Sequence, residues 1–141
     1  MVTRDKYIEN LLNIAAGWPY GYGKWGEQAF DCSGVVSRCL GLVEKKNAQQ
    51  LFTLFQGCQV PRLQALPGSL LFYGAGKDKI NHVMTVLRHW PNGGMTLIGA
   101  RGGDATTVNI DIAKEQKAFV DICFGDYWLD KFVTAVDPFT L

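Results

Sequence analysis

Three features are missing from this sequence: an excess of one charge, a long apolar run and an N-terminal apolar stretch of the secretory type. Its 14 Lys and Arg residues against 13 Asp and Glu residues leave a net charge of +1, which provides no field for gathering nucleic acid or an anionic membrane. No segment approaches the roughly 20 apolar residues that a membrane-spanning helix needs, and residues 1–6 lack the pattern of a secretory signal. We therefore expect no nucleic-acid partner, no integral membrane segment and a protein that is cytoplasmic as synthesised.

Cysteine is also scarce, and its spacing excludes two common uses. The four cysteines are Cys32, Cys39, Cys58 and Cys123, and they form no Cys-x-x-Cys pair. Four widely spaced cysteines are too few for a disulfide scaffold, and their spacing does not fit a structural zinc site. We expect reduced thiols, no metal and no cofactor.

What the sequence does contain is the composition of an ordinary globular domain. Its 141 residues are 48% apolar and 19% charged, values close to the averages for soluble proteins. The length suits one hydrophobic core and leaves no room for a second. We expect a single domain over residues 1–141.

The order of the hydrophobic patterns predicts the fold class. Helical spacing predicts helices over residues 4–16, after Cys32 and over 47–56, whereas the period changes to two from Pro67 onward. Strands are predicted near residues 69–73, 82–89, 95–100, 118–124 and 128–136, with a short helix at 111–118 that Asp111 caps. Helices first and strands later, without β-α-β alternation, predict an α+β fold with a mainly antiparallel sheet.

Cys32 is the candidate nucleophile. It stands just before an apolar helix, where unpaired backbone N–H groups and the helix dipole favour a thiolate. A buried structural cysteine is the alternative interpretation, and it is the one we adopt for Cys39 and the other two cysteines. Asp31 before Cys32 and Ser33-Gly34 after it are small or capping residues, and they favour the nucleophile because they let the sulfur face a cleft.

A thiolate nucleophile needs a general base, and the sequence offers only His82 and His89. The two histidines lie seven residues apart in one predicted strand, an odd separation that directs their rings to opposite faces of the sheet. His82 opens the strand after the polar segment 78–81, a position that suits a cleft, whereas His89 precedes the hairpin tip. We therefore choose His82, with an ordinary surface or hydrogen-bonded histidine as the alternative.

Three segments of the chain together resemble one known family. They run from Pro19-Tyr20 through Phe30-Asp31-Cys32-Ser33-Gly34, over Pro67-Gly68-Ser69-Leu70-Leu71-Phe72, and over Asn81-His82-Val83. The chain, over roughly residues 7–139, is similar to the NlpC-type peptidoglycan endopeptidases, which are papain-like cysteine peptidases. The resemblance implies a papain-like fold in which Cys32 begins a helix packed on the sheet. It also implies that His82 is the general base and acid and that Tyr20 lines the oxyanion site.

The resemblance further implies a function. We expect a cysteine endopeptidase that hydrolyses amide bonds in the stem peptides of bacterial peptidoglycan through a thioester on Cys32. It would act at the cell wall or as part of a bacteriophage particle, with a phage component or another partner delivering it. Two other functions fit the same residues: an amidase or acyltransferase on a non-wall substrate, and a catalytically weakened module for wall binding or phage assembly.

One departure from the family pattern concerns the group that orients the catalytic histidine. Family members commonly carry a His in the strand after the hairpin, and Gly99 stands at the matching position here. Glycine has no side chain with which to hold an imidazole in its working tautomer. A two-residue Asn92-Gly93 turn would place His82 opposite about Gly103, which makes Asp104 the nearest carboxylate. Asp104 is therefore the candidate third member, with an ordinary loop acid, a backbone carbonyl or a water as alternatives.

Overall fold

The computed structural model describes residues 1–26 and 28–141. The helices are α1 (Arg4–Asn10), α2 (Cys32–Cys39), α3 (Ala48–Phe55) and α4 (Ile110–Gln116). The strands are β1 (Gln59–Val60), β2 (Leu70–Gly74), β3 (Ile80–His89), β4 (Met95–Arg101), β5 (Phe119–Phe124) and β6 (Phe132–Val136). They form one six-stranded sheet in the order β1-β6-β2-β3-β4-β5, and the pairings of β1 with β6, β6 with β2, β2 with β3 and β3 with β4 are antiparallel. The predicted α+β class with an antiparallel sheet is confirmed.

The chain divides into two compact units. The first contains Met1–Lys45 and Gly99–Asp121, and the second contains Lys46–Ile98 and Ile122–Leu141. The expectation of one domain over residues 1–141 stays a prediction. In the described ranges, no helix has both the length and the apolar character needed to cross a membrane.

The first unit is built on its N-terminal helices. Thr3 caps α1 with its side-chain oxygen, and the helix predicted over residues 4–16 ends in the π-helical turn Leu11–Ala15. Apolar residues at helical spacing on this segment, Tyr7 among them, are fully buried, and α1 packs against α2. The Asn10 amide donates a hydrogen bond to the Cys39 carbonyl at 3.0 Å, which ties the two helices together at the end of α2.

The second unit holds the central strands, and both faces of its sheet are covered. One face carries the core cluster Ala65, Leu71, Tyr73, Met84, Val86, Met95, Leu97 and Ala135. On the opposite face of β2, the Phe72 ring meets Phe52 of α3 edge to face, with ring centroids 5.7 Å apart. Since both faces are buried, β2 is a continuous apolar run and does not alternate between apolar and polar residues.

The hairpin between β3 and β4 has a different register from the predicted one. Its turn is longer than two residues, because the Trp90 N–H donates to the Gly94 carbonyl at 2.8 Å. The cross-strand pairs are His89 with Met95, Arg88 with Thr96, Val86 with Leu97, and Thr85 with Ile98. A two-residue turn at Asn92-Gly93 would instead pair Thr85 with Ala100, two residues further along β4. The register from which Asp104 was selected is therefore wrong.

A bulge in β3 also changes which face of the sheet carries each histidine. The bulge lies between Val86 and Arg88 and adds one residue to β3 relative to β4. Because of this extra residue, His82 and His89 fall on the same face of the sheet, and the prediction of opposite faces is wrong. They are nevertheless about 20 Å apart along the strand, at roughly 3.3 Å per residue, so one compact site cannot use both.

Two further local predictions are corrected. The N-cap of α4 is Asn109, whose side chain accepts the Ile112 N–H at 2.9 Å, whereas Asp111 lies inside the first turn. The strand predicted over residues 128–136 begins only at Phe132, because residues 129–131 form a 3-10 turn. That turn follows Trp128, which has a left-handed backbone conformation with φ of 47°.

Candidate active site

Cys32 is the first residue of α2, and the residue before it caps the helix. The Asp31 carboxylate accepts the Gly34 N–H at 2.6 Å and the Ser33 hydroxyl at 3.2 Å. An aspartate at this position satisfies one of the backbone donors that a helix leaves unpaired at its start. Cys32 is 7% exposed. The predicted position of Cys32 at a helix N-terminus is confirmed.

The same carboxylate joins the helix start to the preceding loop. Asp31 accepts the Gly23 N–H at 3.0 Å, and it forms an ion pair with the Lys45 ammonium at 3.0 Å. Lys45 also donates to the Ser33 hydroxyl at 3.3 Å. The sequence analysis missed Lys45, because nothing in the local pattern indicates that a residue past the end of α2 returns to its start.

Gly34 of the motif is required by a close approach of the backbone. The Lys24 carbonyl accepts the Asp31 N–H at 3.0 Å, and a Cβ atom at Gly34 would overlap that carbonyl oxygen. The loop therefore crosses the first turn of α2 in a space that any side chain at Gly34 would fill. This contact gives the Asp-Cys-Ser-Gly motif a structural reason for its glycine.

Backbone pairing places Tyr20 beside the Cys32 segment. The Gly21 N–H donates to the Phe30 carbonyl at 2.9 Å, and the Phe30 N–H donates to the Pro19 carbonyl at 3.1 Å. The Tyr20 ring is buried and rests against Gly103, where a Cβ atom would come within 3.0 Å of three ring atoms. The ring is thus held between the segment that precedes Cys32 and the chain that follows β4.

The environment of Tyr20 favours its neutral form. Burial raises the pKa of the Tyr20 hydroxyl well above its ordinary value, and electrostatic interactions with Cys32, Asp31 and Asp104 raise it further. A phenol in this setting keeps its proton throughout the neutral pH range. It can therefore donate a hydrogen bond to a developing negative charge, as an oxyanion site requires.

Asp104 belongs to a polar turn of its own. Its carboxylate accepts the Thr106 N–H at 2.8 Å and the Thr106 hydroxyl at 2.5 Å. These hydrogen bonds, the one from the hydroxyl first, lower the pKa of the exposed Asp104 carboxyl. The register that suggested Asp104 as third member is wrong, and its role beside His82 stays a prediction.

His82 lies near the start of β3 in the second unit, whereas Cys32, Tyr20 and Asp104 lie in the first. His82 is 9% exposed, and the Nε2 atom of its ring is 3.1 Å from the Tyr127 hydroxyl. The Tyr73 and Trp128 rings also lie against it, with centroids 5.7 and 5.6 Å from that of the imidazole. Tyr127 and Trp128 were missed, because they follow β5 about 45 residues later and no sequence period links them to His82.

Cys39 differs from Cys32 in its position on α2 and in its burial. All four are free thiols, and Cys39 is fully buried at the other end of α2. Burial raises the pKa of the Cys39 thiol to about 12, so it stays protonated near neutral pH and suits the structural role expected of it.

Within residues 1–26 and 28–141, no three His, Cys, Asp or Glu side chains are grouped so as to hold a metal ion.

One protein-family model matches most of the chain. The model of the NlpC/P60 family matches residues 17–136, a range that includes Tyr20, Cys32 and His82. No curated protein sequence matches the chain significantly.

Solved structures share the fold at low sequence identity. A Staphylococcus aureus protein described as similar to a lipoprotein of the NLP/P60 family is 19% identical, with a TM-score of 0.64 over 94% of this chain and 40% of that one. An NlpC/P60 family protein from Bacillus cereus is 18% identical, with a TM-score of 0.66 over 96% of this chain and 40% of that one. The NlpC/p60 domain of the peptidoglycan hydrolase SagA is 20% identical, with a TM-score of 0.60 over 96% of this chain and 98% of that one. The predicted papain-like fold is confirmed, and the chain spans less than half the length of the first two proteins.

Proposed function

The chain belongs to the NlpC/P60 family, and we propose that it is a cysteine peptidase that hydrolyses amide bonds in the stem peptides of bacterial peptidoglycan. The observation that carries this proposal is the placement of Cys32 at the capped start of α2. Tyr20, a buried phenol that keeps its proton, lies within its electrostatic reach. A nucleophile beside a hydrogen-bond donor is the minimum arrangement for acyl transfer.

The proposed reaction has two halves. His82 takes the proton of the Cys32 thiol, and the thiolate attacks the carbonyl carbon of the amide. The Tyr20 hydroxyl and backbone N–H groups at the start of α2 stabilise the oxyanion. The C–N bond then breaks, and the amine takes the proton from His82 and departs. The acyl group stays on Cys32 as a thioester. Water that gives a proton to His82 hydrolyses the thioester, and the proton returns to the sulfur.

Peptidoglycan is proposed as the substrate because of one of the structural likenesses. The SagA domain, described as part of a peptidoglycan hydrolase, is covered almost completely by this chain. The two longer proteins are each covered over 40% of their length, so we carry nothing over from the rest of those chains. We further propose that the protein acts at the cell wall. Delivery by a bacteriophage particle stays a prediction.

The test is mass spectrometry of purified peptidoglycan and its soluble stem peptides after incubation with the reduced protein. Wild-type protein should release new peptide termini, and Cys32→Ala and His82→Ala should release none. Cys39→Ala is the matched control, because it removes another buried cysteine from the same helix and should retain the activity. The position of the new termini identifies the amide bond that is cut.

Two outcomes would overturn the proposal. Equal products from wild type and Cys32→Ala would exclude Cys32 as the nucleophile. No products from a folded, reduced wild type would favour an amidase or acyltransferase acting on another substrate, or a module that binds wall peptides without cutting them. Mass spectrometry of the intact protein after incubation with thioester and amide acyl donors would separate these two, since only an enzyme would acquire the mass of an acyl group.

A further inference from the structure

The Tyr127 hydroxyl lies within hydrogen-bond distance of the His82 ring. The oxygen lies 3.1 Å from Nε2, and the two ring centroids are 5.7 Å apart at an interplanar angle of 56°. With Tyr73 and Trp128, these residues form what we call the aromatic cluster. No residue of the cluster is acidic, so its contribution to His82 is geometric and does not depend on an opposite charge.

The cluster is held by contacts that do not involve the imidazole. Tyr73 is the cross-strand partner of His82 on β2 and is 1% exposed. The Tyr127 ring meets Tyr73 edge to face at 5.7 Å, and Trp128 stacks on Tyr73 at 6.0 Å and 25°. The backbone of the turn is also bonded, because the Tyr127 N–H donates to the Phe124 carbonyl at 3.0 Å. These contacts hold the Tyr127 ring in place independently of its hydrogen bond with His82.

From this geometry we infer that Tyr127 is the positioning residue of His82. It would orient the imidazole, which Gly99 cannot do because glycine has no side chain. The inference rests on the proposed function, in which His82 exchanges a proton with Cys32. With Nε2 donating its hydrogen to the Tyr127 oxygen, the imidazole is held in the Nε2–H tautomer and Nδ1 exchanges the proton with the thiol. The same hydrogen bond persists when the imidazole is protonated, because Nε2 then still carries its hydrogen.

A phenol differs from a carboxylate in what it does for the imidazolium. It orients the ring and selects the tautomer, but it supplies no full negative charge to stabilise the cation. Loss of this oxygen should therefore cost far less than the roughly 10⁴-fold fall in kcat seen when a triad aspartate is replaced. Loss of one neutral hydrogen bond corresponds to a fall of about 3- to 10-fold in kcat.

The test compares Tyr127→Phe with Tyr73→Phe. Each variant removes one hydroxyl from the aromatic cluster and keeps the ring against His82. On the stem peptide that the wild type cleaves, Tyr127→Phe should lower kcat about 3- to 10-fold with KM unchanged, and Tyr73→Phe should leave both within about 2-fold. Unchanged kcat in Tyr127→Phe, or an equal loss in both variants, would overturn the inference.

A spectroscopic measurement separates this inference from the proposed function. In ¹⁵N-labelled protein at a pH where the imidazole is neutral, the side-chain nitrogen shifts of His82 should report the Nε2–H tautomer in wild type and in Tyr73→Phe. Tyr127→Phe should show a mixture of tautomers. An Nδ1–H tautomer or a mixture in the wild type would overturn the inference whether or not the protein cleaves peptidoglycan. If no substrate is cleaved but the tautomer pattern is as expected, the proposed function fails and the positioning of His82 by Tyr127 stands.

Discussion

Replacement of Asp31 by alanine tests the structural basis of the Cys32 site. The Asp31→Ala change removes the helix cap on Gly34 at 2.6 Å, the contact with Ser33 at 3.2 Å and the contact with the Gly23 N–H at 3.0 Å. It also removes the partner of Lys45 at 3.0 Å. Because Asp31 is 7% exposed, water cannot readily replace these bonds.

The expected loss of stability is the sum of three contributions. An N-cap replaced by alanine costs about 1 kcal/mol, and loss of the hydrogen bond from Gly23, an exposed residue whose N–H can turn to water, costs about 0.5–1.5 kcal/mol. A fully buried ion pair broken on one side costs about 3–5 kcal/mol, but the Lys45 side chain is 21% exposed and can turn toward water. We reduce that contribution to about 1 kcal/mol, so the free energy of unfolding should fall by about 2.5–3.5 kcal/mol.

Two matched variants divide this sum. Asp31→Ser keeps an oxygen for the cap and should lose about 1.5–2.5 kcal/mol, because the Gly23 and Lys45 contacts are lost. Lys45→Met leaves Asp31 with its backbone donors and should lose about 1 kcal/mol. Urea unfolding followed by tryptophan fluorescence and by circular dichroism measures all three, provided that the two transitions coincide. A loss below about 1 kcal/mol for Asp31→Ala, or an equal loss for Lys45→Met, would refute the reasoning.

Two further predictions concern Tyr20 and Cys39. A Cβ atom in Gly103→Ala would come within 3.0 Å of the Tyr20 ring and displace it, so kcat should fall toward the roughly 10²-fold loss typical of a missing oxyanion donor. The control is Gly57→Ala, where the added Cβ meets no atom within 4 Å and kcat should not fall. Equal kcat values for the two variants would contradict the role of Tyr20. The pKa of the Cys39 thiol is raised to about 12 in the folded protein. Above a pH of about 9, the unfolded chain therefore loses a proton that the native protein keeps. The free energy of unfolding should then fall by up to about 1.4 kcal/mol per pH unit. Urea midpoints between pH 7 and about 10.5 should fall less steeply in Cys39→Ala, and parallel curves would contradict this assignment.

The start of α2 could be predicted from sequence because its chemistry is local. An N-cap side chain bonds a backbone N–H three residues later, so Asp31 and Gly34 contain the signal within one short motif. The capped start of α3 is equally local, since Asn47 and Gln50 exchange side-chain and backbone hydrogen bonds. The period of apolar residues likewise depends only on neighbours in the chain, and it predicted both the helices and the strands.

The hairpin and the surroundings of His82 could not be predicted in the same way. One bulge between Val86 and Arg88 reverses the face assigned to every later residue of β3, and nothing in the local sequence marks it. Asp104 was chosen from a two-residue turn at Asn92-Gly93, whereas the turn in the structure is longer. The Tyr127 contact depends on a turn 45 residues from His82, beyond the reach of any local pattern.

The sequence by itself therefore determined the fold class, the element order and the position of Cys32, since propensity, capping and hydrophobic period act over a few residues. The tertiary structure decided the strand register, the reason for Gly34, the ion pair of Asp31 with Lys45 and the partner of His82. Each of these depends on two distant segments meeting at a distance of about 3 Å. Such contacts are selected by the packing of the whole chain, and no residue pattern along the sequence specifies them.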